Sequence, residues 1–209
     1  MIPALHFLLR FVAAASLGMG LLLWWGADYV NCVAPVVNLL AEWTQMPFQM
    51  LNQADQVLYS YSPDAARSFR LLATDQESIY LNLISMAAVF AATPDRKVTW
   101  RLGWGTLALG LLWSTHVISF YLGGQVALWQ FAMTSAHAQS LAQPLALWIP
   151  QGHGLLSLKA LETWNLWGRY SLCVLVWIVA RARPEPLPAL VAETSRWYVR
   201  HWILRPSIT

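Results

Sequence analysis

Residues 102–122 read LGWGTLALGLLWSTHVISFYL, a stretch of 21 residues without any Asp, Glu, Lys or Arg. An α-helix rises about 1.5 Å per residue, so a helix of this length crosses the roughly 30 Å of hydrocarbon in a bilayer. The whole chain is similarly apolar, with 57% hydrophobic and 11% charged residues, whereas soluble domains are about a quarter charged. The sequence therefore predicts an all-α integral membrane protein.

Four segments are predicted to span the membrane, at residues 5–27, 75–93, 102–122 and 161–180. The first contains Arg10, whose aliphatic stem can extend toward the headgroups. The second begins in a capping box from Thr74 to Glu77 and ends at Pro94, which cannot continue a helix. The fourth has to take Arg169 into the membrane to reach the required length.

Two other apolar segments, residues 29–51 and 125–149, carry polar residues that argue against a span. The first is predicted to be an amphipathic helix on the outer membrane surface. Its apolar face consists of Val30, Val33, Val37 and Leu40. The second follows a predicted helix end at Gly123-Gly124 and is interpreted as a re-entrant or interfacial hairpin around Pro144. Five or six spans are the alternative if these segments cross the membrane.

The basic residues predict the orientation of the spans. Nine of the 13 Lys and Arg residues lie on one side if both termini and the 94–101 loop are placed there: Arg10, Arg96, Lys97, Arg101, Arg181, Arg183, Arg196, Arg200 and Arg205. Cytoplasmic loops are enriched in Lys and Arg, so both termini are predicted to be cytoplasmic. Several of the 13 tryptophans, including Trp24 and Trp167, then fall at the membrane boundaries that indole rings prefer.

This orientation divides the chain into two parts. Residues 1–183 form the transmembrane domain with its extracytoplasmic amphipathic segments. Residues 184–209 form a proline-containing cytoplasmic linker and an amphipathic helix, on which Arg196 and Arg200 share one face. This helix is predicted to lie on the anionic cytoplasmic leaflet or to pack on the cytoplasmic surface of a partner.

The fourth span carries the most distinctive polar group of the predicted membrane region. Glu162, Asn165 and Arg169 follow one another at i, i+3 and i+7, which places them on one face of an α-helix. Arg169 is predicted to pair with Glu77, with Asp75 or with a carboxylate of a partner. The alternative is that Arg169 extends to the outer headgroups.

Small residues mark a possible contact on the first span. Ala14 and Gly18 are separated by one helical turn, a spacing that lets two helix backbones approach closely. Packing against another span of the same chain is favoured over dimerisation through this pair.

The sequence contains few residues that indicate catalysis, metal binding or transport. His116 is the only histidine well inside a predicted span, since His6 lies at the very start of the first, so a haem held by two histidines lacks its second ligand. No Cys or His pair has zinc spacing. No cofactor is therefore expected, and the scattered net charge of +3 argues against nucleic-acid binding. A thiol enzyme based on Cys32 is the second hypothesis, and a small channel or transporter is the third.

Three stretches of the chain have a familiar arrangement: Leu22-Leu23-Trp24-Trp25, Ala91-Ala92-Thr93-Pro94 before a basic turn, and the aromatic, arginine-bearing residues 164–170. With four spans in about 200 residues, the chain resembles the small membrane proteins associated with the H-type exosortase, a bacterial enzyme that sorts proteins carrying a C-terminal membrane tail. The resemblance covers the architecture of the whole chain, supplies no catalytic residue and implies an accessory role at the bacterial inner membrane. We therefore expect a non-catalytic subunit whose partners are the lipid bilayer and other membrane proteins.

Overall fold

A computed structural model describes residues 2–53, 56–64, 67–75, 77–94, 96–134 and 151–183. Its elements in chain order are α1 (Ile2–Trp43), β1 (Gln49–Gln53), β2 (Gln56–Asp64), β3 (Arg67–Asp75), α2 (Glu77–Ala92), α3 (Val98–Thr134), α4 (Gln151–Thr163), a π-helical segment (Trp164–Gly168) and α5 (Arg169–Ala182). The described chain is mostly helical. The all-α prediction is nevertheless wrong, because residues 49–75 form a sheet. The predicted hairpin at Pro144 and the C-terminal surface helix lie outside the described residues.

Two of the described helices are long and apolar enough to cross a membrane. They are α1, in which Ala4–Leu21 has a mean hydropathy of 1.6, and α3, with a value of 1.3. Shorter apolar helices, Leu81–Ala92 and Tyr170–Ala182, correspond to the predicted second and fourth spans. The prediction of membrane-spanning helices is thus supported at two of the four positions.

α1 continues far beyond its predicted end at residue 27. It has 42 residues with Pro35 in its interior, which corresponds to a length of about 63 Å. Val30, Val33 and Val37 are fully buried in a cluster shared with the sheet and α3. The predicted apolar face therefore exists, but it packs against the protein itself instead of lying on the membrane surface.

The end of α1 is a Schellman motif that turns the chain toward β1. The amide of Met46 donates to the carbonyl of Ala41 at 2.7 Å, and the amide of Gln45 donates to that of Glu42 at 3.0 Å. Gln45 has a φ of 57°, the left-handed conformation that this motif requires. Pro47 follows and prevents the helix from resuming.

The three strands form an antiparallel sheet in the order β1-β2-β3. Ser60 in the central strand pairs with Gln49 of β1 and with Arg70 of β3. One side of the sheet is buried against α1 and α3 through Met50, Val57, Tyr59, Tyr61 and Leu71. The sequence analysis placed an amphipathic helix and an outer loop in this region and predicted no strand.

Gly123 and Gly124 do not end α3, which continues to Thr134. A Cβ atom at Gly123 would lie 2.7 Å from the hydroxyl of Tyr59, and one at Gly124 would overlap the ring of Phe48. The glycines therefore let the sheet and the preceding turn approach the backbone of α3. The prediction of a helix break at this position is wrong because the glycines serve packing.

Two apolar cores are stacked along the length of the molecule. The sheet core joins the second half of α1, the sheet and α3 from Val117 to Leu128. The bundle core joins α2, the first half of α3 and α5, with Phe90, Trp100 and Leu112 as its large buried members. His116 lies at the junction, where its Nδ1 atom is hydrogen-bonded to the hydroxyl of Tyr29 at 2.5 Å.

Candidate functional site

The outer edge of the sheet is held to α1 by an asparagine. Asn38 Nδ2 donates to the carbonyl of Met50 at 3.1 Å, and the amide of Met50 donates to Asn38 Oδ1 at 2.7 Å. The side chain thus makes the two hydrogen bonds that a neighbouring strand would make, and edge strands otherwise present such groups unpaired. A second link runs from Asn52 Nδ2 to Asn31 Oδ1 at 3.1 Å.

Aromatic residues hold the same sheet to α3. The hydroxyl of Tyr59 donates to the carbonyl of Phe120 at 2.8 Å, and burial raises the pKa of Tyr59 above its ordinary value. The hydroxyl of Tyr121 donates to Thr44 Oγ1 at 2.8 Å. The ring of Phe48 lies 5.9 Å from the rings of both tyrosines, measured between centroids. The sheet is therefore fixed to the second half of α3, which is itself bonded to the end of α1.

The opposite side of the sheet, which we call the open sheet face, carries mostly polar side chains. Its members are Gln49, Leu51, Leu58, Ser60, Ser62, Ser68 and Arg70, all exposed or half-buried. The hydroxyl oxygens of Ser60 and Ser68 lie 3.0 Å apart. Because side chains alternate along a strand, these residues point away from the sheet core.

Two depressions adjoin on the open sheet face, and Ser60 lines both. One has a volume of 390 Å³ and lies between the end of α1 and the sheet. The other has a volume of 410 Å³ and extends over β1, β2 and β3. Glu42 lines the first and Arg70 the second. The open sheet face therefore offers hydroxyl and amide groups between one acidic and one basic side chain.

The described residues that line the two depressions supply hydroxyl and amide groups, one carboxylate and one guanidinium, and they include no His, Lys or Cys. In the described ranges, no group of three or more His, Cys, Asp or Glu could hold a metal ion. What the open sheet face supplies is hydrogen-bonding capacity on a rigid support.

The predicted polar group of the fourth span lies on three successive helical segments. Glu162 is in α4, Asn165 is in the π-helical segment and Arg169 is the first residue of α5. Glu162 and Asn165 are exposed. The side chains of Arg169 and Glu77 lie outside the described part of the structure, and their pairing stays a prediction.

The other predicted positions are distributed over the molecule. A Cβ atom at Gly18 would lie 3.2 Å from Ile84, so the pair with half-buried Ala14 faces α2 of the same chain. Cys32 is exposed on α1, and the hypothesis of a thiol enzyme gains no support from its surroundings. Arg196 and Arg200 belong to residues 184–209, outside the described ranges.

The sequence analysis missed the residues that build this site, above all Asn38, Tyr59 and Ser60. The available signal was the alternation in Val57-Leu58-Tyr59-Ser60-Tyr61, in which apolar and aromatic side chains at every second position indicate a half-buried strand. The same alternation continues through Phe69 and Leu71. A search for period-two patterns would have found β2 and β3, although not the contacts of Asn38.

Comparison with family models, curated proteins and solved structures finds no match for this chain. The resemblance to the exosortase-associated proteins therefore stays a prediction. The functional conclusion has to come from the geometry of the chain itself.

Proposed function

We propose that the chain is a non-catalytic accessory subunit of a bacterial inner-membrane complex. In this proposal four transmembrane helices, formed by α1, α2, α3 and the segment from α4 to α5, support the open sheet face outside the cytoplasm. A partner protein binds there. The observation that carries the proposal is that α1 and α3, with 42 and 37 residues, are each longer than the hydrocarbon core is thick and both hold the sheet at the same end of the molecule.

Large apolar side chains are exposed on all four helices. They include Leu5, Leu9, Val12 and Leu17 on α1, Leu81 on α2, Leu102, Leu107, Leu111 and Ile118 on α3, and Val174, Leu175, Ile178 and Val179 on α5, each at least 39% exposed. Soluble monomers rarely expose large contiguous apolar patches. We infer that this apolar belt faces lipid. The inference includes α2 and α5, whose apolar stretches are too short to be identified as membrane spans by length alone.

The lengths of α1 and α3 support a part outside the membrane. At about 1.5 Å per residue, these helices measure roughly 63 and 55 Å, against about 30 Å of hydrocarbon. They run side by side, as the contact between Tyr29 and His116 shows. Beyond that contact both helices bury residues against the sheet. The excess length of both helices is therefore used to hold the sheet.

The basic residues support the orientation. Arg96, Lys97, Arg101, Arg181 and Arg183 lie at the end of the molecule opposite the sheet, where α2 and α5 end and α3 begins. Positive charge is concentrated on the cytoplasmic side of membrane proteins. The sheet is accordingly extracytoplasmic, and a partner that binds it is exposed on, or anchored to, the outer side of the inner membrane.

Cysteine labelling tests this topology. In a background of Cys32→Ser and Cys173→Ala, Ser62→Cys places a thiol on the open sheet face and Thr99→Cys places one at the opposite end, both at exposed positions. We expect an impermeant maleimide to label Ser62→Cys in intact spheroplasts and to label Thr99→Cys only after permeabilisation. The reverse pattern would show that the orientation is wrong.

Photo-crosslinking tests the accessory role. A photoreactive amino acid at Ser68, on the open sheet face, is expected to give one discrete crosslinked product in native membranes. The matched position is Leu39, which is 64% exposed on the face of α1 that the proposal leaves unused. Equal crosslinking from both positions, or none from Ser68, would contradict binding at the open sheet face.

A further inference from the structure

A cluster of basic side chains lies at the end of the molecule opposite the sheet. The function proposed above assigns no ligand to it. The first turn of α3 is tied there to the ends of two other helices. Arg96 Nη2 donates to the carbonyl of Arg181 at 2.6 Å, and Trp100 Nε1 donates to the carbonyl of Arg183 at 2.9 Å. Arg101 Nη1 donates to the carbonyl of Ala91 at 3.2 Å. We call Arg96, Lys97, Arg101, Arg181 and Arg183 the basic end.

Two of these guanidinium groups are held over indole rings. The Cζ atom of Arg96 lies 5.3 Å from the centroid of Trp100, and that of Arg181 lies 5.5 Å from the centroid of Trp177. Stacking restricts the planar group but leaves N–H donors at its edge, and a guanidinium has five of them. Arg96 and Arg181 are thus arranged before any ligand arrives, and they hold positive charge next to Lys97 and Arg183 at a low entropy cost.

The positive charge of the basic end is not neutralised within the described residues. None of its five side chains forms an ion pair with a carboxylate in those ranges. The sequence around it, residues 93–101 and 181–183, contains one acid, Asp95, whose position is not described. Lys97 and Arg183 are exposed, and their side chains make no hydrogen bond to the described protein.

The start of α3 adds to this positive potential. The carbonyl of Lys97 accepts hydrogen bonds from the amides of Trp100 and Arg101, both at 3.1 Å. Lys97 is therefore the N-terminal cap of a 37-residue helix. The first amides of a helix lack intrahelical acceptors, and the helix dipole favours an anion at this end. Phosphate groups bind where such amides and basic side chains coincide.

The capping of helix ends accounts for only two of the five side chains of the basic end. Arg96 and Arg101 donate to the last carbonyls of α5 and α2, a common role for basic side chains at helix C-termini. Within the described residues, the side chains of Lys97, Arg181 and Arg183 donate to no carbonyl. Their charge is available for a ligand.

We propose that the basic end binds the phosphate of an anionic phospholipid in the cytoplasmic leaflet, with Lys97 and Arg183 in contact with the phosphate. The adjoining surface favours a lipid over free phosphate, because Val98, Leu102 and Val179 beside it are 66%, 65% and 54% exposed. Acyl chains of the same molecule cover that apolar surface. The inference rests on the transmembrane arrangement proposed above.

Native mass spectrometry of the full chain, delipidated in a neutral detergent, tests this site with phosphatidylglycerol and phosphatidylcholine as probes. The test variant combines Lys97→Gln with Arg183→Gln. The matched control combines Arg70→Gln with Lys159→Gln, which removes the same charge from exposed positions toward the sheet. We expect about a tenfold loss of bound phosphatidylglycerol in the test variant only, and little retention of phosphatidylcholine by any form. Equal losses in both variants, or no loss in either, would overturn the proposal.

Competition with inorganic phosphate shows whether the basic end binds a phospholipid or free phosphate. We expect tens of millimolar phosphate to leave phosphatidylglycerol bound, because a free anion gains nothing from the apolar surface. Complete displacement would show a site for free phosphate and overturn the assignment to lipid. Maleimide labelling of Ser62→Cys in the test variant separates this inference from the topology. Normal labelling without lipid binding refutes the lipid site alone, whereas reversed labelling refutes the transmembrane arrangement.

Discussion

Tyr59 lies where the sheet meets α3, and only 2% of its surface is exposed. A buried phenolate would lose its hydration, so burial raises the pKa of Tyr59 above the ordinary value of about 10. The neutral hydroxyl is also the form that donates to the carbonyl of Phe120. The folded protein thus holds this proton at a pH where the unfolded chain releases it.

The stability of the protein should consequently depend on Tyr59 in alkaline solution. Because the pKa is raised on folding, the contribution of Tyr59 is complete below about pH 10 and decreases as the pH rises above that value. Tyr59→Phe should lower the free energy of unfolding by about 1 kcal/mol near pH 7, through the lost hydrogen bond. Thermal unfolding between pH 8 and 11 should show this deficit shrinking above pH 10. A deficit that stays constant with pH would contradict the assignment.

At the scale of the element, the packing of α3 depends on which glycines have neighbours. A Cβ atom at Gly124 would overlap the ring of Phe48, whereas one at Gly110 would meet nothing within 4 Å. Gly124→Ala should lower the free energy of unfolding by about 1–3 kcal/mol through overpacking. Gly110→Ala on the same helix should raise it by up to about 1 kcal/mol.

The melting temperature measured by circular dichroism distinguishes these two effects. One kcal/mol corresponds to about 2–4 °C for a chain of this size. Gly124→Ala should therefore melt below the wild-type protein and Gly110→Ala at or above it. Melting temperatures that change equally in both variants would show that the glycines of α3 do not differ in packing.

The helices were largely predictable from the sequence, whereas the strands left only a short alternating signal and the contacts of the site left none. The apolar face of α1 that contains Val30, Val33 and Val37 was identified by its spacing. It was assigned to the membrane surface because no sheet was expected. In β2 the alternation of Val57, Tyr59 and Tyr61 covers only five residues, and the pairing with β3 shifts register after Tyr61. In an apolar chain, such a short alternation is easily accommodated by a helical pattern as well.

The length of α1 could not be predicted from the sequence, because it depends on contacts with residues that are distant along the chain. The polar residues within residues 29–51 argued against a span there, and the first span was predicted to end at residue 27. In the structure, Asn31 bonds to Asn52, 21 positions along the chain, and Asn38 bonds to Met50, 12 positions along the chain. Polar residues that stabilise an interface look, in the sequence alone, like residues that interrupt a helix.

At the scale of the whole molecule, the arrangement of the two cores predicts that α1 faces lipid along its first half and water along its second half. Leu17 and Leu39 of α1 are 68% and 64% exposed, and they are separated by about 33 Å at 1.5 Å per residue. The proposed arrangement places Leu17 in lipid and Leu39 in water. Similar exposure therefore has opposite meanings at the two positions.

Spin labels attached at Leu17→Cys and Leu39→Cys, in a chain without native cysteines, can measure this difference. In liposomes we expect oxygen, which concentrates in lipid, to relax the label at position 17 more strongly. A water-soluble nickel complex should relax the label at position 39 more strongly. Equal accessibility to the nickel complex at both positions would contradict the division of α1 between lipid and water.

The continuity of α1 has a mechanical consequence. Because the helix runs without interruption for 42 residues, its segment beside the bundle core and its segment beside the sheet must tilt together. A change in tilt of 10° moves one end of a rod of this length by about 10 Å relative to the other. Bilayers of different thickness favour different helix tilts. The stiffness of a single helix would thus convert membrane thickness into the height and direction at which the sheet is presented.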